Sequence, residues 1–231
     1  MNQRVQTRSG GRAARRAARA APLENHLRPI RPGMEGGRYA PLTAADMDRI
    51  HNAALEALET IGLVDAPESG VAYLEAAGAK LGDDGRIRFP RALVEDAIAS
   101  ANRSITLHGR DPKYDLELSG TRVHYGTAGA AVHLVDAEGR EYRESTLQDL
   151  HDAARITDAL DNIHFLQRPM VARDIEDNRE MDLNTVYATT CGTTKHIGTS
   201  FYDPSHVAPA IEMLHMIAGG EDKWRDRPFM S

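Results

Sequence analysis

Three short runs typical of buried strands begin at a constant spacing in the second half of the chain. They start at Ile163, Lys195 and Arg227, so each step is 32 residues. A (β/α)8 barrel of roughly 250 residues uses about 31 residues for each strand and its helix, so this spacing is that of consecutive βα units. The spacing predicts parallel strands joined by crossover helices, as in a barrel or a doubly wound sheet.

The two segments between these runs carry the start and stop signals of helices. Asp177 followed by Glu180 is typical of a capping box, and Gly192 is a stop signal. Asp203 followed by Pro204 marks the start of the second helix, because proline is tolerated at the first helical position. The apolar stripes predicted for the two helices are Leu183, Val186, Tyr187 with Thr190 or Cys191, and Val207, Ile211, Leu214 with Ala218.

The rest of the chain predicts a layered order before the parallel units. Residues 1–27 are predicted to be a disordered basic tail and residues 28–103 a helical N-terminal layer. Alternating polar and apolar residues predict β-hairpins over residues 104–144. Residues 145–231 are then the first βα units of an incomplete TIM barrel, with Ile163, Phe165 and Ile197 facing inward. The predicted fold class is therefore α/β, with a (β/α)8 barrel and a doubly wound sheet as the two possible architectures. Because the sequence stops four residues into a predicted strand, we expect a fragment of a longer protein that would aggregate or remain loosely packed if expressed alone.

The basic tail differs sharply in charge from the rest of the chain. Residues 1–31 hold eight arginines and one acidic residue, and the net charge of the whole chain is −6. A nucleic-acid-binding arm would need aromatic partners or a basic folded surface, and a transit peptide would need an apolar face. The composition instead predicts a disordered, solvated tail.

The first helix of the N-terminal layer is predicted from its cap and its periodicity. Thr43 and Asp46 form a capping box, and Gly62 follows the last periodic residue. The predicted buried stripe is Met47, Ile50, Ala54, Leu58 and Ile61.

Composition and missing motifs exclude several classes of protein. The single cysteine, Cys191, excludes a disulfide framework and favours a reducing, cytoplasmic location, while no apolar run is long enough to span a membrane. The sequence has no phosphate-binding glycine loop, HExxH or cysteine pair, and its histidines lack the spacing of ligands, so we expect no bound metal. Lys195 and His196 are interpreted as a structural pair, and Cys191 as a small buried hydrophobe.

Candidate binding residues follow from the place where a barrel has its active site, the C-terminal ends of the strands. Gln167 and Arg168 end the first predicted strand, and Ser200, Phe201 and Tyr202 end the second. The glycine-rich segment 124–131, which contains Tyr125, is interpreted either as a flap over that opening or as a tightly packed hairpin turn. No catalytic residue is identifiable.

Several separated motifs resemble one known family. They are RPIRPGMEGGRY (28–39), TLHGRD (106–111), HYGTAGAA (124–131), HFLQRP (164–169), DLNT (182–185) and GTTKHIGTSF (192–201). Together they resemble the trimethylamine methyltransferase family, that is, the methylamine:corrinoid methyltransferases and their quaternary-amine relatives.

The resemblance implies a (β/α)8 barrel that transfers a methyl group from trimethylamine or a quaternary amine such as glycine betaine to a corrinoid. The corrinoid (cobalamin) is carried by a separate protein, so no cofactor is expected to bind this chain directly. The family acts in methylamine metabolism, including methanogenesis, and a homo-oligomer remains open. Some members read an amber codon as pyrrolysine, at a position beyond Ser231. Members are about twice as long as this chain, so the resemblance implies that it is the N-terminal half of a (β/α)8 TIM-type barrel.

The chemistry implied by the family suits aromatic side chains at the barrel mouth. A quaternary ammonium has a permanent charge and no N–H, so aromatic faces bind it best. Tyr125, Phe201 and Tyr202 are the candidates for this role, beside Gln167, Arg168 and Ser200. Two alternatives remain: a binding module for a small cation, and an inactive truncated fragment.

Overall fold

A computed structural model describes residues 33–37, 39–136 and 138–231. The predicted disordered tail, residues 1–27, lies outside the described residues, and the predicted domain boundaries stay predictions. The α-helices are α1 (Ala44–Thr60), α2 (Glu68–Ala76), α3 (Arg91–Ser100), α4 (Leu147–Ala159), α5 (Asn178–Gly192), α6 (Val207–Ala218) and α7 (Glu221–Asp226). The strands are β1 (Met34–Glu35), β2 (Lys80–Leu81), β3 (Ile87–Arg88), β4 (Ser104–Leu107), β5 (Leu116–Ser119), β6 (Arg122–Val123), β7 (His133–Val135), β8 (Tyr142–Glu144), β9 (Leu166–Gln167) and β10 (Ile197–Gly198).

Four segments of the chain lie side by side in parallel. β9 pairs with β10, so that Leu166 faces Ile197. Isolated parallel bridges extend the set on both sides, from Gly126 to Phe165 and from Ile197 to Met230. Helix α4 connects the first two segments, α5 the next two, and α6 with α7 the last two. The α/β class is thus confirmed, and the parallel set begins earlier than predicted, at Gly126. The described residues do not form a closed barrel.

The main core lies between this parallel set and the helices. It contains Leu166 and Ile197 from the strands, Val186 from α5 and Leu214 from α6. Because Leu166 and Ile197 are register partners, their side chains point to the same face, toward the helices. The prediction that Ile197 faces inward beside Phe165 is therefore wrong. The alternation of side chains along a strand puts Phe165 on the opposite face from Leu166.

Helix α5 packs along α4 through small and hydroxyl side chains. A Cβ on Gly192 would lie 2.5 Å from Ala154 Cβ and 2.9 Å from the carbonyl oxygen of His151, so the two helices approach closely there. The buried face of α5 differs from the predicted stripe, because Tyr187 and Cys191 are exposed. The interpretation of Cys191 as a buried hydrophobe is wrong. The buried face carries Asp182, Thr185, Val186, Ala188, Thr189, Thr190 and Gly192. The hydroxyls of Thr189 and Thr190 donate to helix carbonyls one turn earlier, which lets threonine occupy these positions.

Antiparallel pairs precede or interrupt the parallel set, as the alternating residues predict. β4 pairs with β5, β7 pairs with β8, and β1 pairs with β6. The loop after β4 then covers the N-terminal end of the third parallel segment. Its Asp111 N–H donates to the carbonyl of Thr194 at 3.2 Å. Asp115 accepts hydrogen bonds from Arg227 at 2.7 and 2.9 Å, which joins this loop to the start of the fourth segment.

The N-terminal layer has the predicted helix α1 but not its predicted buried face. Thr43 and Asp46 form the reciprocal capping box. However, Met47 and Ile50 are 55% and 58% exposed, and the buried residue of α1 is Leu55. The cap was predictable because it is local. The buried face depends on where α3 and β3 pack, which the periodicity of α1 does not determine.

Candidate functional site

Two of the predicted site residues are in direct contact at the C-terminal end of the parallel strands. The Arg168 guanidinium donates to Ser200 Oγ at 2.9 Å and to the Ser200 carbonyl at 3.4 Å. The backbone N–H of Arg168 donates to the carbonyl of Gly198, which continues the parallel ladder up to this point. The strand register thus brings residues 32 positions apart in sequence to one edge.

Gln167 lies at the same edge, and the glycine-rich segment is attached to it. The Gln167 side chain covers Gly198, where any Cβ would collide with its Oε1 atom. Thr127 Oγ1 donates to the carbonyl of Gln167 at 2.5 Å. Further along, Ala131 and Met170 form another parallel bridge. Segment 124–131 therefore runs beside the strand containing β9 and is the neighbouring segment of the parallel set. Neither of its two interpretations, a flap or a hairpin turn, describes this arrangement.

The three aromatic candidates have different surroundings. The Tyr125 ring is half exposed and contacts the His164 ring edge-on, with 6.0 Å between centroids. Phe201 is partly buried and packs against the main core. Tyr202 is 71% exposed, and its backbone N–H donates to Asp182. No ring contact among the described residues joins these three, so their role in binding a cation stays a prediction.

Arg168 differs from two other partly buried arginines in having no ion-pair partner among the described residues. Arg143 and Arg227 each have a carboxylate within 2.7 Å, at Asp149 and Asp115. Among the described residues, no carboxylate forms an ion pair with Arg168, and its guanidinium donates to the two oxygens of Ser200. Within the part of the chain that the structure describes, the partly buried guanidinium therefore has a positive charge without a counter-ion at the strand ends.

A buried Asp–His pair lies just behind this edge and was not predicted. Asp182 in α5 is 1% exposed, and its Oδ2 accepts hydrogen bonds from His206 Nδ1 at 2.7 Å and from the Tyr202 N–H at 2.8 Å. The two residues are 24 positions apart, in different helical segments. No local motif indicates such a pair, because it depends on α5 packing against the short helical turn Pro204–His206.

The opposite end of the strands has a structural role, as predicted for Lys195 and His196. Lys195 is 2% exposed, and its Nζ donates to the carbonyls of Thr157, Leu160 and Ile163 at 2.6–2.8 Å. These three bonds use all the donors of an ammonium group, and they go to carbonyls of the last turn of α4 and of the residues that follow it. Burial lowers the pKa of Lys195.

His196 completes this structural region. Its Nδ1 donates to the carbonyl of His108 at 2.9 Å, and its Nε2 pairs with Ser231 Oγ at 3.1 Å. Since both ring nitrogens have protein partners, His196 is not free to act on a ligand.

Two further histidines lie between the first two parallel segments. His164 is 3% exposed, and its Nδ1 accepts the backbone N–H of Tyr125 at 2.9 Å, so this nitrogen carries no proton. Burial, with smaller contributions from His124 and Lys195, lowers the pKa of His164 to about 4. His164 is thus a neutral, structural histidine at neutral pH.

Other features of the described residues lie away from the predicted site. One cavity lies between the loop after β4, at Gly109 and Arg110, and the segment from the end of α6 to Phe229. Another cavity lies between α2 and the β2–β3 hairpin. The predicted site residues line neither cavity. Across the described ranges, no three histidine, cysteine or carboxylate side chains converge as metal ligands would. In the same ranges, no helix combines the length and apolar character needed to cross a bilayer.

Comparison with known proteins gives a consistent result. The family model described as trimethylamine methyltransferase (MTTB) matches residues 8–231. Trimethylamine methyltransferase MttB of Desulfitobacterium hafniense is 32% identical over 199 residues, which are 86% of this chain and 40% of that protein. Trimethylamine methyltransferase MttB1 of Methanosarcina mazei is 27% identical, and covers 86% of this chain and 41% of its own length. Glycine betaine methyltransferase of D. hafniense is 25% identical over 84% of this chain and 40% of its own length. The chain thus spans about 40% of the length of these relatives. Because the family model matches nearly the whole chain, the chain belongs to the trimethylamine methyltransferase family.

Proposed function

We propose that the whole protein is a methyltransferase that moves a methyl group from trimethylamine or a quaternary amine to a corrinoid carried by a partner protein. The observation that carries this proposal is the cluster of Gln167, Arg168 and Ser200 at the C-terminal end of a parallel strand set, in a chain of this family. The C-terminal ends of strands are where barrel enzymes bind their substrates.

The finer fold belongs to the same proposal. We infer that the four parallel segments are the first strands of a (β/α)8 barrel. Their consecutive order and the helices between them support this inference. The strands needed to close the barrel would correspond to the part of the relatives' sequences that this chain does not span.

The chemistry asks the protein mainly to bind and orient its substrate. The methyl group would leave a quaternary or protonated nitrogen, and the electron pair of the C–N bond would stay on that nitrogen, so that a neutral amine is released. The two electrons of the new bond to the methyl carbon would come from the reduced corrinoid. The corrinoid supplies the nucleophilic cobalt, and it would arrive on a separate protein, so this chain does not have to hold it. Residues at the strand ends would fix the direction of the methyl group and exclude water. For a quaternary or an already protonated amine, this transfer requires no general acid or base.

The uncompensated charge of Arg168 favours a substrate that carries a carboxylate. Two like charges 4 Å apart repel by about 1 kcal/mol in water and by about 4 kcal/mol at an effective dielectric of 20. A bare ammonium ion is thus disfavoured beside Arg168, whereas a carboxylate on the same molecule would pair with the guanidinium in a bidentate manner. Among the two substrate types considered, this favours a betaine, such as the substrate named for the D. hafniense relative.

Methyl transfer by the whole protein tests both statements. Trimethylamine and glycine betaine would be offered separately with a reduced corrinoid protein, and methylation would be followed by visible absorption. We expect transfer, with glycine betaine preferred. If calorimetry shows binding of either amine but no methyl transfer occurs, the result would instead support the small-cation-binding module. The absence of both binding and transfer would contradict the proposal.

Replacing Arg168 tests its role in this preference. In Arg168→Ala we expect KM for glycine betaine to rise by about tenfold or more, because a charge-assisted hydrogen-bond pair is lost. KM for trimethylamine should stay constant or fall. Arg155→Ala, which removes an exposed arginine from α4, is the matched control. An equal rise for both substrates would contradict a role in carboxylate recognition.

A further inference from the structure

The buried carboxylate of Asp182 is held by two groups from one short segment. The segment comprises residues 199–206, which we call the rim loop. Tyr202 supplies a backbone N–H at 2.8 Å, and His206 supplies Nδ1 at 2.7 Å. Moving a carboxylate out of water costs several kcal/mol unless hydrogen bonds replace its hydration. The position of the rim loop is therefore linked to that of Asp182.

The rim loop is also held from its other side, by the predicted site. Ser200 accepts both hydrogen bonds of Arg168, and the Thr199 N–H donates to the carbonyl of Ser231 at 2.9 Å. Between these contacts and His206, Tyr202 is fixed through its N–H to Asp182. Asp182 thus determines how the C-terminal half of the rim loop sits relative to Arg168 and Ser200.

The pair is not explained by stability alone. A buried ion pair is often no more stabilising than well-packed apolar residues of the same volume. Moreover, Asp182 Oδ1 is buried and has no hydrogen-bond partner among the described residues, and neither has Thr185 Oγ1 one turn later on α5. A buried polar atom without a hydrogen-bond partner costs stability, so these atoms give no stability reason for the pair.

We propose that Asp182 and His206 are positioning residues that hold the rim loop so that Ser200 and Arg168 meet the substrate correctly. This inference rests on the proposed function for its kinetic consequence. Its structural consequence, a rim loop fixed through Asp182, does not depend on that function.

The kinetic experiment compares variants of the whole protein with glycine betaine as the substrate. Asp182→Asn and His206→Ala should each raise KM about tenfold, as expected when a hydrogen bond to a charged group is lost, with kcat changed less than about threefold. His206→Asn should restore most of the affinity, because its amide nitrogen takes the place of Nδ1 as donor. A merely structural histidine would show no such rescue.

Asp158→Asn is the matched control. Asp158 accepts hydrogen bonds from Thr193 and from Thr194 at the opposite end of the same strand. Like Asp182, Asp158 is a carboxylate that holds a segment next to β10 through hydrogen bonds, although Asp158 is only partly buried. We expect a lower melting temperature with unchanged KM. If Asp158→Asn raises KM as much as Asp182→Asn does, the effect is general loosening and the proposal is wrong.

Hydrogen exchange separates this proposal from the proposed function. In Asp182→Asn the amides of residues 200–203 should exchange at least about tenfold faster, because Tyr202 N–H loses its charged acceptor. In Asp158→Asn the acceleration should instead fall on residues 193–195. Unchanged exchange in the rim loop of Asp182→Asn would overturn the positioning role, even if methyl transfer is observed. If the wild-type protein transfers no methyl group, the exchange result still decides whether Asp182 fixes the loop.

Discussion

At the scale of single residues, Lys195 shows how a charge can be buried without a carboxylate. Its ammonium group is fully used by three backbone carbonyls at the end of α4. The negative end of the helix dipole adds to this stabilisation.

Removal of this charge should therefore be costly. We expect Lys195→Met to lower the free energy of unfolding of the whole protein by about 3 kcal/mol, because three carbonyls each lose the hydrogen bond that the ammonium group donates. Urea denaturation followed by circular dichroism measures this change. Lys113→Met removes an exposed lysine from the same region and should change stability by less than about 0.5 kcal/mol. Similar midpoints for the two variants would contradict this account.

The individual residues also show what a sequence can and cannot predict. Thr43, Asp177 and Asp203 were identifiable as caps because each bonds a backbone N–H two or three residues away. The repeat of 32 residues predicted that Arg168 and Ser200 end neighbouring parallel strands, whereas the hydrogen bond between them became visible only in the structure. Asp182 with His206 was not predictable, because nothing local requires either residue.

At the scale of elements, the crossing of α4 and α5 depends on the absence of a side chain at Gly192. A Cβ there would be 2.5 Å from Ala154 Cβ, and both helices would have to move apart. The sequence identified Gly192 only as a helix stop, and its packing role becomes visible when α4 is placed beside it. The buried face of α5 was predicted wrongly for the same reason. Which of its residues are buried depends on where α4 and β10 pack, as well as on the periodicity of α5 itself.

Gly192→Ala should therefore lower the free energy of unfolding by about 2 kcal/mol, the cost of overpacking a tight contact. Gly70→Ala is an internal control, because Gly70 lies within α2 and its added Cβ would meet Pro67 at an ordinary 3.4 Å. We expect Gly70→Ala to raise stability by about 0.5–1 kcal/mol through helix propensity. Thermal denaturation of both variants measures whether the two stability changes have opposite signs. If Gly192→Ala instead raised stability, α4 and α5 would be able to move apart without cost.

At the scale of the whole molecule, stability should depend on pH through His164. Its pKa is about 4 in the folded state and near 6.5 when unfolded. As pH falls from 6.5 to 4, the unfolded chain takes up a proton that the folded chain does not, so the folded state loses stability. The titration of His164 therefore contributes about 3 kcal/mol to the free energy of unfolding. This contribution is fully present above pH 6.5 and is lost by pH 4.

The variant His164→Asn isolates this contribution. Its amide oxygen can accept the Tyr125 N–H in place of Nδ1 and does not titrate. Unfolding free energies at pH 7 and pH 4.5 should differ less in the variant than in the wild type, while the carboxylates titrate equally in both. Identical pH dependence in the two proteins would exclude His164 as the titrating group.

The contacts of the loop after β4 have a consequence for the order in which the molecule is built. Asp115 first meets local partners, the Gly109 N–H and His108. Its partner Arg227 is 112 residues further along the chain, and the bond from His196 to the His108 carbonyl spans 88 residues. At synthesis rates of about 5–20 residues per second, Arg227 is added roughly 6–22 s after Asp115. The loop therefore reaches its final place only after the first parallel segments have been synthesised.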